Sequence, residues 1–353
     1  MGGFGTAVHE IELVLFTTLG PSGALAFALL VARAVLLGEA PGRRPIEKSL
    51  GVTLVVVIVG LVASATHLGT PSNALYVLTR VGASPLSNEM AALVFFLGLG
   101  ATYWLYSFAL RPRREVQGVL AALSCAAAVL FVASVGLAYS ADTIVTWSTP
   151  GAMGSLWLTS LVGGPVLALN VEAVTLLASR SCSTGAGTVA ISTWRTIMLL
   201  GASVVALLAS VVSAAMQWES ISGYANYMVT LRELVPHFWQ MLITYLMLCS
   251  VGIVLCARLA IGWPGFCSRG LGVFAKADAH TGTLRTPDVP EKPVRMPDTP
   301  TDPMGAPDAS AGALRMLVVR CTLHVTSSLL VFAGIFIMRF EFYMTHLTVG
   351  LGA

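Results

Sequence analysis

Histidines and carboxylates stand together at the ends of long apolar stretches of this sequence. His67 follows one such stretch and precedes Gly-Thr-Pro, Glu89 begins the next stretch, and His9 and Glu10 precede the first. An imidazole binds and releases protons near neutral pH, and a neighbouring carboxylate can orient it or relay its proton to water. This combination suits the oxidation of a lipophilic quinol, which releases protons as it loses electrons.

Further ionisable side chains fall at corresponding positions beside the apolar stretches, namely Arg80, His237, Arg339 and His346. An ionisable residue at a membrane interface is a functional hypothesis by default. The alternative is a structural role, because polar residues gather at helix ends where water is present. Residues 87–89, Ser-Asn-Glu, would then be an N-cap followed by a first-turn acid.

The elements that must position these residues are membrane helices. Of the 353 residues, 56% are hydrophobic and 10% are charged, whereas soluble domains carry about 25% charged residues. A spanning helix needs about 20 mostly apolar residues. Eight suitable stretches lie at residues 11–37, 50–67, 89–110, 117–139, 151–179, 190–216, 237–262 and 314–339. The sequence therefore predicts one all-α domain over residues 1–353, a polytopic membrane protein with eight transmembrane helices.

Lysine and arginine are distributed unevenly between the loops. All except Arg80, Arg232 and Arg339 lie in or beside the connections after the first, third, fifth and seventh helices. Basic loops stay on the cytoplasmic side, which predicts both termini on the outer, periplasmic side. The N-terminal segment lacks the basic region of a signal peptide, so we expect the first helix to remain in the mature protein. His67 and Glu89 then share the outer end.

The connection between the seventh and eighth helices differs in composition from the rest. Residues 286–308 contain seven prolines and few apolar side chains. Such a segment cannot bury enough apolar surface to offset its ordering entropy. We predict a Pro-rich, disordered loop on the inner side over residues 264–313, either an inert linker or a partner-binding segment.

Several classes of site are not expected. The six cysteines show no C-x-x-C or similar spacing, which argues against iron–sulfur and zinc sites in this protein. A b-type haem between helices needs facing histidines, and only His324 is placed well inside a predicted helix. No nucleotide fingerprint is present, and we expect no metal and no nucleic-acid partner. A transporter, the non-redox alternative, would typically show internal repeats and broken helices at mid-membrane.

Long segments around the ionisable residues resemble the membrane anchor subunit of dimethyl sulfoxide reductase. These segments are HEIELVLFTTLG near the start, HLGTPSNALYVLTRVGASPLSNE from His67, DTIVTW at 142–147, GGP at 163–165 and RFEFYMTHLTVG at 339–350. The resemblance covers essentially the whole sequence. Two features depart from it: Thr79 stands where the family usually has asparagine before arginine, and the loop between helices 7 and 8 is long.

The resemblance implies an eight-helix anchor of a molybdenum oxidoreductase in the bacterial cytoplasmic (inner) membrane, with both ends periplasmic. Such anchors oxidise menaquinol for anaerobic respiration and bind no haem. They pass electrons to a four-cluster iron–sulfur subunit, which supplies a molybdopterin-containing catalytic subunit. The family's quinol-site histidine and conserved acid fall on His67 and Glu89. His9, Arg80, Arg339 and His346 stand at matching positions whose individual roles are less defined.

We therefore predict quinol oxidation near the outer face, with His67 as proton acceptor and Glu89 as its relay or orienting partner. Glu10, beside His9, is a supporting residue. Reduction of the terminal acceptor would belong to the catalytic subunit. The alternative within electron transfer is an anchor of the polysulfide or nitrite reductase type, coupled to proton translocation. That alternative would favour acids and histidines along the bundle, where only Glu172 and His324 lie deep.

Overall fold

The computed structural model describes residues 2–38, 40, 42–67, 71–140, 144–182, 193–225, 229–261 and 307–347. Throughout these ranges the regular structure is helical, apart from an isolated bridge between Ala225 and Thr230. The α-helices are α1 (Gly3–His9), α2 (Ile11–Leu37), α3 (Arg43–Thr66), α4 (Pro85–Tyr106), α5 (Arg114–Ala138), α6 (Pro150–Cys182), α7 (Thr193–Ile221), α8 (Leu231–Leu234), α9 (Phe238–Ile261) and α10 (Pro307–Met344). A 3-10 helix, Pro71–Arg80, connects α3 to α4.

Eight of these helices are long and apolar enough to cross a membrane: α2, α3, α4, α5, α6, α7, α9 and α10. The helix faces that point away from the bundle carry stripes of exposed apolar side chains, such as Val52, Val55, Val59 and Val62 on α3. The spacing of three or four residues places such a stripe on one helix face. An apolar face of this kind suits contact with lipid. The predicted all-α architecture with eight spans is confirmed, whereas the side of the membrane that each end occupies stays a prediction.

Some helices extend beyond their predicted bounds. Helix α3 begins at Arg43 instead of residue 50, because Arg43 Nε pairs with Glu47 Oε1 at 2.8 Å one turn later. Helix α4 begins at Pro85, where the fixed φ of proline favours the first turn. Residues 307–313, predicted as part of the Pro-rich loop, belong to the first turns of α10. The remainder of that loop, 264–306, lies outside the described residues.

The centre of the bundle is formed by α2 and α6, which are buried over most of their length. Helix α2 packs against α3, α5 and α6, and α10 packs mainly against α9 and α6. The short α1 lies across the end of α10, so that both described ends of the protein are at the same end of the bundle. The ends of α3, α5 and α10 and the beginnings of α2 and α4 meet there.

The close contact of α9 with α10 supplies a test of this packing. A Cβ atom added to Gly252 would lie 2.6 Å from Val331 Cγ2 and 2.9 Å from the Ser327 carbonyl oxygen. We expect Gly252→Ala to destabilise the protein by about 1–3 kcal/mol through overpacking. The matched control is Gly201→Ala on α7, where nothing lies within 4 Å of the added Cβ. Thermal unfolding in detergent should show a lower midpoint for the first variant only. Equal midpoints would contradict the described contact.

Candidate functional site

His67 lies between two carboxylates at the end of the bundle where α2 begins. Its Nε2 is 3.2 Å from Glu10 Oε2, and its Nδ1 is 3.9 Å from Glu12 Oε2. The three side chains are each about one third exposed or less. His9 approaches the His67 ring edge-on, with centroids 6.3 Å apart, but its own side chain is 75% exposed. His67 is therefore held by carboxylates while it remains within reach of a ligand.

The distances assign different tasks to the two ring nitrogens. An ionised carboxylate only accepts hydrogen bonds, so the 3.2 Å separation from Glu10 favours a proton on Nε2. In a neutral imidazole the other nitrogen is then an acceptor. Nδ1 is 3.9 Å from Glu12, which exceeds hydrogen-bond distance. The distances therefore favour the tautomer that leaves Nδ1 able to take a proton.

A break in the helix brings both acids to one histidine. Glu10 lies between α1 and α2, with φ −102° and ψ 18°, a sparsely populated bridge conformation. In one uninterrupted helix, residues 10 and 12 would point about 200° apart. The junction at Glu10 removes that restriction. Glu12, in the first turn of α2, was not among the predicted site residues, and its Oε2 has no hydrogen-bond partner within the described residues.

Glu89 is positioned by the turn that precedes α4. Gly82 has φ +88°, a conformation that favours glycine, and its N–H donates to Asn88 Oδ1 at 2.6 Å. Ser84 is the N-cap and Pro85 opens the helix, so Glu89 lies in the second turn. Residues 87–89 are therefore not an N-cap followed by a first-turn acid, the structural role considered for them from the sequence. The side chain is 1% exposed, and neither carboxylate oxygen has a hydrogen-bond partner in the described part of the protein.

Two buried phenols lie near Glu89. Tyr139 follows α5, and Tyr343 lies in the last turn of α10, with ring centroids 5.8 Å apart. Both are within electrostatic reach of Glu89, and Tyr139 is also within electrostatic reach of Glu10. Phenols remain protonated at neutral pH and donate hydrogen bonds. Neither tyrosine was predicted as a site residue, and Tyr139 lies within electrostatic reach of acids on both sides of the site.

The other predicted residues are distributed around this centre. Arg339 is 2% exposed, donates from Nη2 to Ser155 Oγ at 3.0 Å and is within electrostatic reach of Tyr139 and Tyr343. His346 packs against the Trp147 ring with centroids 5.2 Å apart. Trp147 in turn contacts Tyr139.

Among the described residues, neither Arg80 nor Glu89 contacts the group formed by His67, Glu10 and Glu12. Arg80 is exposed at the end of the 3-10 helix and forms no ion pair with a carboxylate of the described residues. Within those residues, Glu10 and Glu12 are the acids within 4 Å of His67, and Glu89 is not. The predicted relay between His67 and Glu89 therefore has no direct contact, although Tyr139 lies within electrostatic reach of both Glu10 and Glu89.

The deep ionisable residues lie toward the other end of the bundle and are held by fixed partners. Glu172 pairs with Arg33, at 2.9 Å, and with Arg195. His324 is buried, as predicted, and its Nδ1 lies 2.8 Å from Asn170 Oδ1. No group of three or more potential ligand side chains suited to a metal ion occurs in the described residues. These contacts give Glu172 and His324 structural partners in place of a path of proton carriers.

Comparison with known proteins identifies a family of membrane anchor subunits. The family model of the DMSO reductase anchor subunit (DmsC) matches residues 4–263. The sequence is 28% identical over 249 residues to the YnfH subunit of an anaerobic dimethyl sulfoxide reductase of Escherichia coli K12, covering 70% of this protein and 82% of that one. It is 29% identical over 255 residues to the C subunit of the E. coli K12 anaerobic dimethyl sulfoxide reductase, covering 71% and 83%. It is 34% identical over 164 residues to the C subunit of the Haemophilus influenzae Rd enzyme, covering 46% and 58%.

Proposed function

Because the protein belongs to the DMSO reductase anchor subunit (DmsC) family, we propose that it oxidises a membrane quinol at the His67 end of the bundle. Membership makes it the multi-pass membrane anchor of an anaerobic respiratory complex, with catalytic and iron–sulfur subunits as partners. The proposed donor is menaquinol, and the proposed location is the bacterial inner membrane. The observation that carries the proposal is that His67 lies 3.2 Å from Glu10 at the end of the bundle where Glu89 is buried without a hydrogen-bond partner among the described residues.

The route of the electrons follows from the position of the site. We propose that this subunit holds no haem or iron–sulfur cluster, so electrons have no carrier across the roughly 30 Å hydrocarbon core. The iron–sulfur subunit, with four clusters, would therefore dock at the same end of the bundle as His67. From there the electrons pass to the molybdopterin-containing subunit. The positive-inside distribution of the loops favours the periplasmic side for this end.

His67 is proposed as the base that removes a proton from the quinol. Glu10 favours a proton on Nε2, and Nδ1 is left to accept the proton of the quinol hydroxyl. As the quinol loses its proton, the imidazole becomes positively charged. The Glu10 carboxylate stabilises that charge and Glu12 adds a second negative charge nearby. His67 thus acts as the base, and Glu10 is the carboxylate that orients it.

Glu89 and its phenols are proposed to hold the other part of the headgroup. A buried carboxyl group without a partner has unused hydrogen-bonding capacity, which a bound hydroxyl can satisfy. Tyr139 and Tyr343 supply protonated hydroxyl groups in the same region. A quinol carries two hydroxyl groups on opposite sides of its ring. A site with His67 on one side and Glu89 on the other suits both.

The Glu10 side chain provides a specific test of this arrangement. Glu10→Gln keeps the shape but removes the negative charge that orients and stabilises the imidazolium. We expect quinol-analogue oxidation by the complex in membranes to fall about tenfold, the loss of one charge-assisted hydrogen bond. Activity with an artificial donor that reduces the iron–sulfur subunit directly should remain. The matched control is Glu219→Gln, an exposed acid near the end of α7 at the same end of the bundle.

Three outcomes would contradict the proposed role of Glu10 in the chemistry. If Glu10→Gln oxidised quinol at the rate of the unaltered complex, the contact with His67 would have no part in the reaction. If both variants lost quinol oxidation equally, a general loss of negative charge at this end would explain the result. An equal loss of quinol and artificial-donor activity would indicate instead that Glu10 maintains assembly.

A further inference from the structure

A basic cavity opens at the end of the bundle opposite to His67. It has a volume of about 370 Å³ and lies between the beginning of α3, the end of α4 and the beginning of α5. The 24 residues of α3 separate the two ends by roughly 36 Å at a rise of about 1.5 Å per residue. Its charged and amide lining side chains are Arg43, Arg44, Glu47, Arg111, Arg114 and Gln117. This cavity is not part of the proposed quinol site.

The single acid of the lining is already satisfied. Glu47 is 3% exposed, and its Oε1 accepts hydrogen bonds from Arg43 Nε at 2.8 Å and from Gln117 Nε2 at 2.7 Å. The Tyr103 hydroxyl donates to the same oxygen at 3.3 Å. Because Arg43 neutralises Glu47, Arg44 and Arg111 leave the described lining with a surplus of positive charge. That surplus favours an anion.

Two long helices also begin at this cavity. Helix α5 starts at Arg114, and its N-cap residue, Arg113, forms no side-chain cap hydrogen bond. In α3, by contrast, the Arg43 N–H already donates to the Ala40 carbonyl and Pro45 has no N–H. The first N–H groups of a helix have no partner within the helix, and the helix dipole is positive at this end. Backbone donors and guanidinium groups thus favour the same type of ligand. Phosphate oxygens are well suited to both.

Aromatic residues beside the cavity mark the depth of the lipid headgroups. Trp104 Nε1 donates to the Lys48 carbonyl at 2.9 Å, and Lys48 Nζ lies 5.8 Å from the centre of the Phe108 ring. Tryptophan and basic side chains gather at the membrane–water interface. Leu110, which lines the cavity, is 91% exposed and offers apolar surface next to the charged groups. The headgroup of a lipid bound here would contact the basic side chains, and its acyl chain would contact the apolar surface at Leu110.

We propose that this cavity binds the phosphodiester headgroup of an anionic phospholipid. Basic pockets between transmembrane helices on the cytoplasmic side are suited to such headgroups, and the positive-inside rule favours that side for this end. A free phosphate ion offers the same oxygens, but it lacks the acyl chains that the exposed apolar surface accommodates. The lipid would join the ends of α3, α4 and α5, which frame the cavity.

Titration of the detergent-purified complex with short-chain phosphatidylglycerol tests the proposal, with thermal unfolding as the readout. Phosphatidylglycerol should stabilise the unaltered complex at a lower concentration than phosphatidylcholine of equal acyl length does.

The double variant Arg44→Gln/Arg111→Gln should bind phosphatidylglycerol about thirtyfold more weakly, because each arginine contributes about fivefold to the apparent affinity. The single variant Arg111→Gln should lose about fivefold and covers the case in which the double variant does not assemble. The control, Arg113→Gln, removes a neighbouring arginine that does not line the cavity and should bind as the unaltered complex does.

Four results would overturn the proposal. Equal stabilisation by phosphatidylcholine would mean that the headgroup charge is not recognised. Equal stabilisation by millimolar inorganic phosphate, without lipid, would make the site one for free phosphate. An unchanged affinity in the double variant, or the same loss in Arg113→Gln, would show that lipid charge is sensed elsewhere on the complex.

Discussion

His67→Arg should abolish quinol-dependent turnover, with a decrease of about 10²- to 10⁴-fold, the range typical of a lost general base. Arginine stays protonated in proteins and therefore cannot accept the proton that a quinol must release. The permanent cation would also pair with Glu10 and Glu12, whose oxygens lie 3.2 and 3.9 Å from the His67 ring, and occupy the space of the quinol hydroxyl. Assembly should survive, because the side chain is at a helix end and is 29% exposed.

The measurement compares quinol-analogue oxidation with artificial-donor activity in the same membranes. The matched control is His237→Arg, which introduces the same change at an exposed histidine just before α9, at the same end of the bundle. The control should retain both activities. If His67→Arg lost both activities together, His67 would be a structural residue and the proposed base would have to be sought elsewhere.

Glu89→Gln should reduce quinol oxidation less, by about tenfold, and Glu89→Leu by about a hundredfold. The amide keeps the shape and can still form a hydrogen bond with the quinol, but it cannot carry a proton. Leucine removes hydrogen bonding altogether, and each lost hydrogen bond of this kind is worth about one order of magnitude. Both variants should assemble, since the carboxyl group has no partner among the described residues to lose.

The ranking of these two variants distinguishes the possible roles of Glu89. Quinol oxidation and artificial-donor activity should again be measured side by side. Equal, small losses in both variants would mean that Glu89 only fills space beside Tyr139 and Tyr343. A larger loss in Glu89→Gln than in Glu89→Leu would contradict a role in binding or proton transfer, because leucine removes every polar function.

The spans were predictable because lipid imposes a simple pattern on the sequence. Every backbone polar group in the hydrocarbon region must be satisfied within a helix, so hydropathy over about 20 residues suffices. The helix ends were less predictable. Hydropathy does not register the pairing of Arg43 with Glu47, which continues α3 beyond the apolar stretch. The Pro-rich segment 264–306 lies outside the described residues, and its disorder stays a prediction.

The site was predicted as a set of residues at one end, but not as a set of contacts. Hydropathy and the alternating direction of successive helices place His67, Glu10 and Glu89 at one level. They do not reveal that Glu12 joins Glu10, because the two acids converge only through the break between α1 and α2. Tyr139 was not predicted as a site residue either, since an aromatic residue at a helix end is ordinarily interpreted as an interfacial anchor. Its approach to Tyr343 depends on the packing of α5 and α10 in three dimensions.

The location of His67 at the end of α3, level with Glu10, has a consequence for the energetics of the cell. A membrane voltage acts on charge that moves through the hydrocarbon layer, at about 2.3 kcal/mol per elementary charge for each 100 mV. Electrons and protons that leave a quinol at one rim of the bundle cross almost none of that layer. Quinol oxidation at the proposed site would therefore neither work against the voltage nor add to it, and this half-reaction would run at the same rate in cells with energised and with collapsed membranes.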